Sequence, residues 1–158
     1  MKFVLLLLVV FGINFNSFTR SNFDKEIFYS VLSSNQLEKI ENQLNILQKS
    51  SFPEKSAYEG VLLMRKAGLI SKPIKRLNLF KQGAKQLEAS INADLNNYEF
   101  RFLRLMIQEN APHILGYHSD IENDKLLIKK HFKSLNPIVQ HYILNYSKSS
   151  KVLHTEDF

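Results

Sequence analysis

Apolar residues recur at steps of 3 and 4 along most of the chain, while strict apolar–polar alternation is missing. That period predicts helices rather than strands. The most regular stretch is Leu77, Phe80, Ala84, Leu87 and Ile91, spaced 3, 4, 3 and 4. Burying each large member stabilises by roughly 1.5–3 kcal/mol, so this stripe is expected to face a core. Asp94 to Asn97 interrupts it, and Asn96 or Asn97 supplies an N-cap for the next helix. Phe100, Leu103 and Ile107 form the following stripe, which Asn110-Ala111-Pro112 ends. Leu77 to Tyr117 therefore reads as a helix–turn–helix hairpin. The segment Pro112 to His118 carries Ile114, Leu115 and Tyr117 around Gly116, and is expected to fold back onto the core.

The remaining elements follow the same reasoning. Asn22 to Leu32 places Phe23, Ile27, Phe28 and Val31 on one side of a short helix. Asn35 and Glu38 have capping-box spacing ahead of Leu37, Ile40, Leu44 and Leu47. Pro53 suits the first turn of a third helix with Ala57, Val61 and Met64 as its stripe. Gly60 would allow close approach there and Gly68 would end it. Ser71-Lys72-Pro73 reads as a linker. Ser119-x-x-Glu122 is a second capping box, opening a helix with Ile121, Ile128, Phe132 and Leu135. A last helix runs from Pro137 to Tyr146. The expected architecture is all-α, about six or seven helices packed as irregular stacked hairpins. Residues 22–147 are expected to form one helical domain and residues 148–158 a flexible C-terminal tail.

The first residues follow a different pattern. Lys2 precedes the apolar run Phe3 to Ile13, and Asn14 to Ser21 turns polar. A run of about 11 residues suits a secretory h-region and falls short of the roughly 20 that a spanning helix needs. Residues 1–21 are therefore expected to be a signal peptide or an N-terminal apolar anchor, and the protein to be exported. No A-x-A motif marks a cleavage site; Thr19-Arg20-Ser21 and Val10-Phe11-Gly12 come nearest. The remaining length of about 137 residues can bury roughly two thirds of its unfolded surface. The chain has no cysteine, so neither disulfides nor thiolate zinc enters. A net charge of +6 is modest, and with export it does not favour a nucleic-acid partner.

Shifting the chain by 43 residues sets Ala57 on Phe100, Leu62 on Leu105 and Met64 on Ile107, and the helix after each begins with a matching apolar phase, Leu77 against Ile121. That period lies in the range of two-helix repeats. Gly83 to Asn97 resembles the second helix and exit turn of a tetratricopeptide repeat: Gly83 and Ser90 are small, Leu87 is large, and Asp94-Leu95-Asn96-Asn97 stands for the family's Asp-Pro-Asn-Asn. Leu95 replaces the family's proline, and the linker from Leu69 to Arg76 is long for a regular repeat. The block Asn97 to Tyr117 is also similar to a group of small exported bacterial proteins of uncharacterised activity. The first resemblance implies stacked helical hairpins with a partner-binding groove, and the second implies no chemistry.

Three constellations could carry function. Arg101, Arg104 and Gln108 share the polar face beside the Phe100 stripe, with Glu99 near the helix start. There they could line a groove for carboxylate or phosphate, remain solvated, or pin the Pro112 loop by bonding its carbonyls. Arg65, Lys66, Lys72, Lys75, Arg76, Lys81 and Lys85 form a basic run with no acid between Glu59 and Glu88. It reads as a patch for an anionic ligand or membrane surface, or as a solvated linker and helix start. His118 and Glu122 have i, i+4 spacing, but the acids Asp120, Glu122 and Asp124 are explained by the positive helix N-terminus. No nucleophile elbow, P-loop or H-E-x-x-H motif occurs. The expectation is a non-enzymatic protein-interaction or scaffold module of the cell envelope, without a cofactor or metal, and its alternative a small binder of an anionic ligand or membrane surface. An exposed apolar groove would favour the first, and an enclosed pocket with converging arginines the second.

Overall fold

Seven α-helices and three 3-10 turns make up residues 23–158, the part that the computed structural model describes, and no strand occurs among them. The apolar run Phe3 to Ile13 and its expected export lie outside the described residues. The helices are α1 (Lys25–Ser33), α2 (Leu37–Lys49), α3 (Lys55–Leu69), α4 (Pro73–Ala93), α5 (Tyr98–Asn110), α6 (Ile121–His131) and α7 (Pro137–Ser147). Side-chain oxygens set several starts: Asp24 accepts from the Ile27 amide, Asn97 from Phe100, and Asn136 from Ile138.

Some boundaries differ from those the pattern predicts. Pro73 is the first residue of α4, so Ser71-Lys72-Pro73 is only partly linker and the helix starts a turn ahead of Leu77. Pro53 lies in the turn before α3. Neither capping box forms. Gln36 precedes α2 without a side-chain cap, and Asn35 instead accepts from Arg65 Nη2 at 2.6 Å. Asp120 precedes α6, and Ser119 Oγ donates to its carboxylate at 2.8 Å.

The antiparallel pair α3–α4 is the most closely packed in the fold. Gly60 and Gly83 face each other across it: a Cβ on Gly83 would stand 2.3 Å from the Gly60 carbonyl oxygen, and one on Gly60 would stand 2.6 Å from the Gly83 oxygen. Backbone meets backbone there, the close approach expected of Gly60. The stripe of α4 buries Phe80, Leu87 and Ile91 together with Gly83, while Leu77 is 40% exposed. In α1 the inward residues are Phe28, Tyr29, Val31 and Leu32, and Ile27 points outward. α5 also packs against α6, and Lys55 and Tyr98, which open α3 and α5, are 43 residues apart.

α5 is the central element. Phe100, Phe102, Leu103 and Leu105 are buried, and so are Glu99, Arg101, Arg104 and Gln108. Its polar side is therefore interior as well. The C-terminal residues, expected to fray, dock instead. Leu153 is fully buried, the Phe158 ring packs on Phe132 at 4.6 Å, and Lys129 pairs with Asp157 at 2.6 Å. Isolated anchors of this kind have no period, so a hydrophobic pattern does not reveal them.

Candidate functional site

The face carrying Arg101, Arg104 and Gln108 is turned inward against α4 and α6. Arg104 Nε and Nη2 donate to the two carboxylate oxygens of Asp124 at 2.7 and 2.8 Å, a bidentate fork. Its Nη1 donates to Glu88 at 2.8 Å, and Asp120 lies 3.3 Å from Nη2. Arg101 Nη1 stands 3.6 Å from the same Asp124, and Gln108 donates to Asp120 at 3.3 Å. Burial pulls the Arg104 guanidinium down, but the hydrogen-bonded Asp124 and the charges of Asp124, Glu88 and Asp120 together push it above its usual value. Burial pushes the Asp124 carboxyl up against the pull of both arginines. These side chains hold helices together and are closed to a ligand. The loop is pinned at one remove, because Tyr117 donates to Glu88 at 2.5 Å and packs edge-on against Phe80. The acids Asp120 and Asp124 answer Arg104 and Gln108, where their sequence position suggests only the helix N-terminus.

Glu99 anchors a second buried network that periodicity does not suggest. Tyr29 and Tyr58 donate to one of its oxygens at 3.2 and 3.0 Å, and Lys25 donates to the other. Burial and the charge of Glu99 push both phenols above the ordinary value of 10.0. In the unfolded chain each titrates near pH 10. Above that pH the unfolded state releases protons that the native state keeps, so stability is complete below about pH 10 and falls above it. The expected slope is about 1.4 kcal/mol per pH unit for each tyrosine. Denaturant midpoints measured at rising pH check this. Tyr58→Phe should remove about one proton from the slope, and an unaltered slope would refute the assignment.

The space left between these helices is an apolar groove of ≈ 890 Å³. Its floor is Met64 and Ala67 of α3 with Phe102 and Met106 of α5. Tyr29 and Tyr142, stacked at 4.5 Å, and Tyr146 form one wall from α1 and α7. Leu77 and Phe80 of α4 with Ile114 and Leu115 of the 3-10 turn His113–Leu115 form the other. Ile114, expected to fold inward with its loop, is 94% exposed at the rim, whereas Leu115 and Tyr117 do pack on the core. Among the described residues, the only charged side chains lining the groove are Arg65 and Arg76. Tyr142 and Tyr146 of the aromatic C-terminal helix supply the wall. Six elements meet here, and none of them signals the groove by itself.

The basic run splits into two parts. Arg65 donates to the carbonyls of Leu32 and Ser34 at 3.1 and 3.3 Å, tying α3 to the α1–α2 turn. Lys66 pairs with Glu41 at 2.8 Å. Lys72, Lys75, Arg76, Lys81 and Lys85 are exposed along α4 and make no ion pair among the described residues. His118 lies 2.9 Å from the Ala111 carbonyl and stacks on His113, away from the start of α6. Among the described residues no three His, Asp or Glu side chains converge as for a metal, and no helix is long and apolar enough to cross a membrane. No protein-family model, curated protein or solved structure matches the chain.

Proposed function

We propose that this protein is a non-catalytic binding module of the cell envelope that seats an apolar helical segment of a partner protein in the groove between α1, α4, α5 and α7. The observation that carries the reading is the groove itself: open, lined by aromatic and methionine side chains, and bordered by exposed Leu77 and Ile114. Exposed contiguous apolar surface marks an interaction site, and methionine adapts to irregular partners. A helix about 10–12 Å across that advances 5.4 Å per turn occupies roughly 400–600 Å³ per turn. The ≈ 890 Å³ of the groove therefore takes about two turns, the scale of helix-in-groove recognition. The 43-residue offset between α3 and α5 supports reading the chain as a degenerate tetratricopeptide-like hairpin array. The lysine-led apolar run Phe3 to Ile13 supports export.

The test places a photo-crosslinking side chain at Ile107, inside the groove, and at Leu126, which is 66% exposed on α6. In envelope extracts a discrete adduct is expected from position 107 and none from 126. Gly68 lines the groove, and a Cβ added there would meet nothing within 4 Å. Gly68→Trp should therefore fill the groove, keep the fold and abolish the adduct. Equal adducts from both positions, or an adduct that survives Gly68→Trp, would refute the groove as the site.

A further inference from the structure

We infer that the N-terminal end of α4, with the adjoining turn His113–Leu115, docks on an anionic phospholipid bilayer. Ile74 is 79% and Ile114 94% exposed, the two most exposed of the large apolar side chains among the described residues. Leu77 follows Ile74 by three residues, one helical turn, and borders the groove mouth together with Ile114. Cations surround this apolar tip. Lys72, Lys75 and Arg76 stand at the first turn of α4, and Lys81 and Lys85 continue the Ile74–Leu77 strip at steps of four. That first turn holds no acid, and the positive end of the helix dipole adds to the field.

Five other cations are tied within the fold, whereas Lys125, Lys130 and Lys133, like the α4 cations, make no ion pair among the described residues. Lys25, Lys55, Lys66, Arg104 and Lys129 each face a carboxylate within 4 Å. A surface with apolar tips amid unpaired cations matches the boundary between acyl chains and anionic headgroups. The chain's own N-terminal segment is a poorer occupant, since Lys2 and Arg20 would bring like charge to it. A second copy would oppose the same cations to themselves.

The experiment is co-sedimentation of the full chain with vesicles of phosphatidylcholine alone, or of phosphatidylcholine with phosphatidylglycerol. Tighter binding to the anionic vesicles, weakened by salt, is expected. Each cation contributes about fivefold, so Lys72→Gln/Lys75→Gln/Arg76→Gln should weaken partitioning on the order of a hundredfold. Ile74→Ser/Ile114→Ser should weaken it as well, with the anionic preference kept. Lys125→Gln/Lys130→Gln/Lys133→Gln carries the same charge change on another face and should bind nearly as wild type. The wild type and all variants carry Phe3 to Ile13, so their difference reads the α4 surface. Equal binding to both vesicles at any salt would assign attachment to the N-terminal run and overturn the inference. Equal loss in the two triple variants would do the same, as would displacement by inorganic phosphate at matched concentration, which would mean a soluble-anion site. Gly68→Trp, which blocks the groove, should leave vesicle binding intact.

Discussion

Arg104→Met is expected to destabilise the protein by about 3–5 kcal/mol, the cost of leaving a buried charge without its partner. Asp124 is fully buried, and both its oxygens are held by Arg104. Arg101, at 3.6 Å, offers only a weak second contact. The variant also frees Glu88, and with it the hydroxyl anchor of Tyr117. Arg101→Met should therefore cost much less than Arg104→Met.

The sign of the pH dependence follows from the burial of Asp124. Without Arg104, burial of the Asp124 carboxyl is opposed by Arg101 alone and holds it further above its ordinary 3.8. The folded state then binds this proton more tightly than the unfolded state. The stability contribution is complete below the unfolded value and is lost as pH rises through the folded one. The deficit of Arg104→Met should thus shrink as the solution is acidified. Arg104→Met/Asp124→Leu, which removes both charges, should recover most of the loss at neutral pH. Denaturant unfolding of the variants at several pH values measures all of this. A single variant within about 1 kcal/mol of wild type would show that the pair is not a structural anchor.

The second large effect lies at the α3–α4 crossing. Gly83→Ala should cost about 3 kcal/mol or more, the upper end of overpacking. The new Cβ would stand 2.3 Å from the Gly60 carbonyl oxygen and 2.8 Å from Met64 Cγ. The methionine can move aside. The carbonyl belongs to a helix backbone and cannot move without separating the two helices. The gain in helix propensity, roughly 1 kcal/mol, is too small to offset this. Gly68→Ala carries the same propensity gain with nothing within 4 Å of the added methyl, so it should stabilise by up to about 1 kcal/mol. The two alanine variants should shift the thermal midpoint in opposite directions. Matching shifts would remove the close crossing from the account of the fold.

The hairpin is legible in the sequence because its parts are local. The stops at Asp94 to Asn97 and at Pro112, and the stripe Phe80, Leu87 and Ile91, depend on neighbours within a turn or two. Gly60 is legible as a point of close approach, though not its partner Gly83, 23 residues on. The face Arg101/Arg104/Gln108 is legible as a face, but it is not the surface that its polarity suggests. Its partners Glu88, Asp120 and Asp124 sit on α4, the turn before α6, and α6 itself. Periodicity says which side of a helix is polar without saying what that side meets.

By itself, then, the amino-acid sequence determined an all-α chain, the existence and most limits of its helices, and the apolar side of each. Those features arise from hydrogen bonding and burial along a single segment. Only the tertiary structure decided that α5 is buried on both its apolar and its charged sides. It also decided that the basic run divides between two ties and an exposed α4 strip, that the C-terminal residues dock through Leu153, and that six separate elements enclose a groove. Each of these depends on which helix lies against which, and that is set by contacts between residues tens of positions apart.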